Sequence, residues 1–85
     1  MTNFRILQRP DGNLAVSFNY SGLATQFGMV GTKNQIIDEL SRERKIFEDQ
    51  RQRAEGNLPF ITRYLDGKIL DHTAAIAKLI MTVTP

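Results

Sequence analysis

The sequence predicts an α+β fold: a three-stranded antiparallel meander followed by a helical second half. Two patterns carry that prediction. Residues 14–20 alternate apolar and polar side chains, and from Thr32 onward the apolar residues recur at helical spacing. Glycine and proline supply the punctuation between segments. The expected strands cover about 3–9, 14–20 and 23–30. A long helix is expected over about 32–55, a short helix over 58–66 and an apolar C-terminal helix over about 70–82.

In the second strand Leu14, Val16, Phe18 and Tyr20 share one side, and Ala15, Ser17 and Asn19 the other. Period two over seven residues is the mark of a half-buried strand. Before it, Phe4 and Ile6 alternate with Arg5, Leu7 and Arg9. The link Arg9-Pro10-Asp11-Gly12 has proline where a turn needs its fixed φ and glycine where it needs a left-handed residue. It predicts a type I turn with a glycine bulge. Ser21-Gly22 predicts a second tight connection. Leu23, Thr25, Phe27 and Met29 then form a third strand facing the same way as Phe18, weakened by Gly28.

Gly31 ends that strand, and Thr32 is a natural N-cap. Ile36, Ile37, Leu40 and Phe47 lie on one face of the long helix, and the same face continues as Gln50, Arg51 and Ala54. At 1.5 Å per residue such a helix is roughly 33 to 36 Å long. Its apolar stripe therefore stops halfway, which predicts a helix docked at one end and offered elsewhere at the other. Gly56 supplies a stop and Asn57 a cap, and Pro59 suits a first turn. Phe60, Ile61, Tyr64 and Leu65 continue a short helix that Gly67 is expected to end.

From Ile69 to Val83 the chain is apolar almost all round if helical. Ile69, Ile76, Leu79, Ile80 and Val83 form one face, Leu70, Ala77 and Met81 the next, and Asp71 and Lys78 a narrow polar remainder. A helix of this kind is buried on more than one side. Either it lies between the sheet and the long helix, or part of it lies in a subunit interface. Two other readings remain open: a fourth strand over Leu79–Thr84, and a hairpin turned by Asp66-Gly67 between 61–65 and 68–71.

Eighty-five residues make one domain, small enough that its core must be well packed or completed by a partner. With no cysteine, disulfides, thiol catalysis and thiolate metal sites are excluded. No run of about 18 uncharged apolar residues is present to span a bilayer, and Met1–Arg5 lacks signal-peptide character, so a cytoplasmic protein is expected. The net charge of +2 looks inviting to nucleic acid, but residues 33–55 carry six bases and six acids. No basic run exists, and the electrostatic signal for nucleic acid is weak.

The sequence nominates no catalytic residue, cofactor or metal. His72 is the single histidine, so no histidine pair can form. The Asp71-His72 pair reads as a helix cap beside an exposed neighbour. Asp38-Glu39 and Glu48-Asp49 point to different helix faces and read as solvated charge. Gly28-Met29-Val30-Gly31 has G-x-x-G spacing, but strand residues precede it where a nucleic-acid clamp requires a helix.

Two binding surfaces follow. Ile46 beside Phe47 widens the apolar area of the long helix beyond what one sheet covers, which suits a specific protein contact. Its expected anchors are Ile46, Phe47, Arg51 and Tyr64, oriented by Arg44 and Glu48. On the sheet, Arg5, Leu7, Arg9, Ser17, Asn19 and Gln26 face away from the helices, and such polar side chains pair with base edges. The order of sheet and helix over residues 3–54 is similar in topology to AP2-type and integrase arm-binding domains. That likeness implies DNA readers at Arg5, Arg9, Asn19 and Gln26, with Lys33 near phosphate. The leading expectation is a small non-catalytic inhibitor, adaptor or accessory factor, of the kind viruses and mobile elements make. It is expected to self-associate, most simply as a homodimer, with groove-reading DNA binding as the alternative.

Overall fold

The computed structural model describes residues 2–19, 25–54 and 59–82. Three strands, β1 (Thr2–Gln8), β2 (Leu14–Asn19) and β3 (Gln26–Gly31), form an antiparallel sheet in the order β1-β2-β3. Two helices follow, α1 (Lys33–Ala54) and α2 (Pro59–Met81). The expected connection at Ser21-Gly22, the strand start at Leu23, the stop at Gly56, the cap at Asn57 and the position of Val83 lie outside the described residues.

Local chemistry explains the strand and helix ends. The Gly12 amide donates to the Arg9 carbonyl at 3.1 Å, and the Arg9 amide to the Asn13 carbonyl at 2.9 Å. Gly12 sits at φ +85°, the left-handed conformation that the turn demands. The Asn13 amide on the Asp11 carboxylate, assisted by Arg9, holds Asp11 below the usual carboxylate range. At the start of α1 the Gln35 amide donates to Thr32 Oγ1 at 3.1 Å, and the Thr32 amide to Gln35 Oε1 at 2.9 Å. This reciprocal capping box satisfies two amides that would otherwise lack partners.

The sheet turns Leu14, Val16 and Phe18 inward, with Phe4, Ile6 and Met29 packed around them. Register places Phe27 opposite Phe18, and their rings stack at 5.9 Å. Against this face lie Ile36 and Leu40 of α1 and Ala75, Ile76 and Leu79 of α2. The helices run antiparallel, as three contacts along them show: Lys33 reaches Ile80, Glu43 reaches His72 and Arg51 reaches Asp66. The molecule is elongated, 48 × 24 × 16 Å.

The expected short helix ending at Gly67 and the separate C-terminal helix from about 70 are one continuous helix, α2. Gly67 lies in its middle and does not end it. The reason is packing: Leu65, Lys68 and His72 on either side are all buried, and a buried face outweighs a local propensity cost of about 1 kcal/mol. The same continuity removes both alternatives, the strand from Leu79 as far as Thr82 and the hairpin at Asp66-Gly67.

Candidate protein-docking surface

The sequence leaves open why the apolar stripe of α1 stops at its midpoint, and α2 supplies the answer. Beyond Leu40 the face turned toward α2 is mixed: Phe47 remains in it, and the rest is polar and meets polar groups of α2. Glu43 Oε2 lies 3.0 Å from His72 Nε2, Arg44 Nη1 donates to Thr73 Oγ1 at 3.5 Å, and Arg51 donates to Asp66. His72 is therefore not the exposed neighbour of a cap. Both Asp71 and His72 lie inside α2, and His72 is fully buried. Its Nδ1 donates to the Lys68 carbonyl at 2.7 Å, and the Phe47 ring tilts against it at 5.3 Å. The ring thus has a backbone carbonyl on one nitrogen and a carboxylate on the other. The arrangement specifies the pairing of the helices and leaves no substrate access.

The sheet covers only one end of this helical hairpin. Its β3 edge meets α1 around Glu39 and Arg42, where Met29 and Val30 line a shared hollow. Its β1 edge meets α2 at Asp71, Ala75 and Lys78, around Phe4. Ile46 lies one turn beyond Arg42, and Tyr64 two turns before Asp71. Both therefore continue the sheet-facing side of the hairpin past the end of the sheet, over about 18 Å of rod. There Ile46 is 55% exposed and Tyr64 59% exposed.

The other expected anchors divide by role. Phe47 is half-buried against His72 and belongs to the helix pairing. Arg44 ion-pairs with Glu48 at 3.3 Å on the surface of α1. Arg51 is held by Asp66.

Among the described residues a further exposed apolar area lies on α2. Its inward side is Leu65, Lys68, His72, Ala75, Ile76 and Leu79. Rotation by 100° per residue puts Arg63, Gly67, Leu70, Ala74, Ala77 and Met81 diametrically opposite, with Phe60 at the margin, and all seven are exposed. Leu70 is 68% and Met81 82% exposed. A surface helix ordinarily turns charge outward, whereas this one carries only Arg63 and, at the margin with Phe60, Lys78 among these exposed positions. Lys68, buried beneath Tyr64, shows the opposite inversion. Its ammonium lies 5.4 Å from the Tyr64 ring, and burial pushes its pKa below the ordinary lysine value.

The outer sheet face carries the positions expected to read DNA, and the structure disperses them. Arg5 and Ser17 are paired across β1 and β2, beside Gly28. Around them Leu7, Ala15 and Val30 make a concavity of about 690 Å³ that is mostly apolar. Asn19 and Gln26 pair at the far end of the sheet, and the Asn19 side chain donates to the Thr25 carbonyl at 3.1 Å. Arg9 ion-pairs with Asp11 in the turn. Lys33 is turned away: its Nζ donates to the Ile80 and Thr82 carbonyls at 3.0 and 2.7 Å, capping α2.

Reasoning from the sequence placed Leu70, Ala77 and Met81 on one apolar face and weighed a subunit interface there, but it did not carry that face across Gly67 to Phe60. The signal was present: apolar residues at both ends of the helix diameter are visible once 59–81 is read as one helix. Breaking the pattern at Gly67 hid it. Among the described residues no helix is long and apolar enough to cross a membrane. Comparison with protein-family models, with curated proteins and with solved structures gave no match to this chain.

Proposed function

We propose that this protein is a small non-catalytic binding module, of the inhibitor, adaptor or accessory-factor class, that works through protein–protein contacts and associates with itself. One observation carries the reading. The last helix is apolar on opposite sides, and its own fold covers only one of them. Exposed apolar area of this kind marks a docking site, where a few anchors excluded from water supply most of the affinity. Leu70, Phe60 and Tyr64 are those anchors, and Ile46 is a further exposed apolar residue on α1. The single cation within the sheet concavity and the internal pairing of Arg9 and Lys33 favour this reading over DNA.

The test compares wild-type protein with Leu70→Glu and Val30→Glu as immobilised baits, each checked for its circular-dichroism melt. Proteins retained by wild type are then purified, and their binding is measured directly. Loss with the Leu70 variant and retention with the Val30 variant is the expected result. Equal binding by all three, or retention only of duplex DNA that fades steeply with salt, refutes the proposal.

A further inference from the structure

We propose that the outer face of α2 is covered by the same face of a second copy, the two helices crossing antiparallel on a two-fold axis at Gly67. The inference rests on the docking reading above and names its occupant. Three features of the monomer match one another under this single symmetry operation.

The first is Gly67 itself. A β-carbon built there meets nothing within 4 Å, so nothing inside the subunit requires glycine in mid-helix. Glycine at such a position costs about 1 kcal/mol relative to alanine, and its usual return is close approach of another backbone. The surface is concave there: Arg63, Tyr64, Gly67, Lys68, Leu70 and Asp71 line a groove of about 300 Å³.

The second feature is charge. Arg63 lies four residues before Gly67 and Asp71 four residues after it. An antiparallel two-fold at Gly67 brings residue 67−n of one copy to residue 67+n of the other. Arg63 of each copy then faces Asp71 of its mate, twice per dimer. Parallel pairing in register would place Arg63 on Arg63. Self-complementarity of this kind is what an isologous interface requires.

The third is shape. Phe60 stands seven residues before Gly67 as an exposed knob, 66% accessible. Seven residues after Gly67 is Ala74, at the bottom of a small hollow of about 60 Å³ walled by Phe4, Asp71, Ala75 and Lys78. The same operation sets the ring over that hollow, beside Phe4, whose own ring already has the Lys78 ammonium 5.5 Å from its centre. Tyr64 meets Leu70 between these points. The sheets then lie at opposite ends of the paired helices.

The experiment is sedimentation of the full chain from micromolar to submillimolar concentration. Wild type is expected to dimerise. Arg63→Asp places like charges together and weakens association about tenfold or more, Phe60→Ala weakens it as well, and Arg63→Asp combined with Asp71→Arg restores it. Because the chain has no cysteine, Gly67→Cys sets a sole thiol on the axis, and mild oxidation should link two copies, whereas Ile80→Cys should not. A wild-type protein that stays monomeric overturns the second copy as occupant, while Leu70-dependent binding of another protein would keep the docking reading intact. A dimer indifferent to Arg63→Asp, Phe60→Ala and the thiol at 67 overturns the pairing. Failure of Leu70→Glu to alter any association overturns both.

Discussion

Two glycine-to-alanine substitutions should move stability in opposite directions, and the sign at Gly67 tests the continuity of α2. At Gly67 an added methyl group meets open space. The backbone there is helical, and the left-handed glycine among the described residues is Gly12. Alanine should therefore stabilise by the helix-propensity difference, about 0.8 to 1 kcal/mol. For a domain of this size that corresponds to a rise in Tm of about 4 to 8 °C. At Gly12 there is also room for a methyl group, so only the φ of +85° acts against it. Forcing an L-residue into that conformation costs roughly 1 to 2 kcal/mol, and Tm should fall. Thermal and urea melts at low micromolar concentration, where copies are apart, give the comparison. A drop in stability for Gly67→Ala would mean that Gly67 ends a helix in the left-handed conformation, and the continuous α2 would be refuted together with the outer face built on it.

Further predictions concern the polar ladder between the helices. His72→Leu or Glu43→Leu alone should cost about 2 to 4 kcal/mol, because each strands its buried or half-buried partner. The double variant should recover most of that loss, measured as a coupling free energy in a double-mutant cycle. Additive single losses would mean that the 3.0 Å contact contributes nothing. Lys68 has its pKa lowered by burial, with the Asp71 charge opposing the shift. The unfolded chain then holds the proton more tightly than the folded one. Stability should rise as pH climbs from the folded pKa toward the ordinary value of 10.5. Lys68→Met should flatten that part of the urea-midpoint profile, and an unchanged profile would show that the ammonium is well solvated.

The strands were legible in the sequence because their signals are local. Alternation over Leu14–Asn19 sets which side chains face inward, and Pro10-Asp11-Gly12 sets the hairpin whatever surrounds it. The start of α1 was legible for the same reason, since Thr32 and Gln35 cap each other within one turn. Gly67 shows where local signals lose. Its propensity argues for an end, but Leu65, Lys68 and His72 are all buried, His72 against Glu43 29 residues away in sequence, and that burial carries the helix through. The destination of His72 had no local signal either. A lone histidine after an aspartate looks exposed until α1 brings Glu43 to its ring.

By itself, then, the order of residues determined a meander, a capped long helix and an apolar segment after it. Those properties depend on dihedral preferences and on contacts within a few residues. Only the tertiary structure decided that α1 and α2 pair beyond the sheet through Glu43–His72 and Arg51–Asp66 around Phe47, that the sheet reaches no further than one end of the hairpin, and that Phe60, Gly67 and Leu70 are left exposed. Those outcomes depend on which side of α2 wins the one available partner. The inner face wins because Ala75, Ile76 and Leu79 can share a core with β2 and α1 at once, and a helix cannot turn both faces toward the same neighbour.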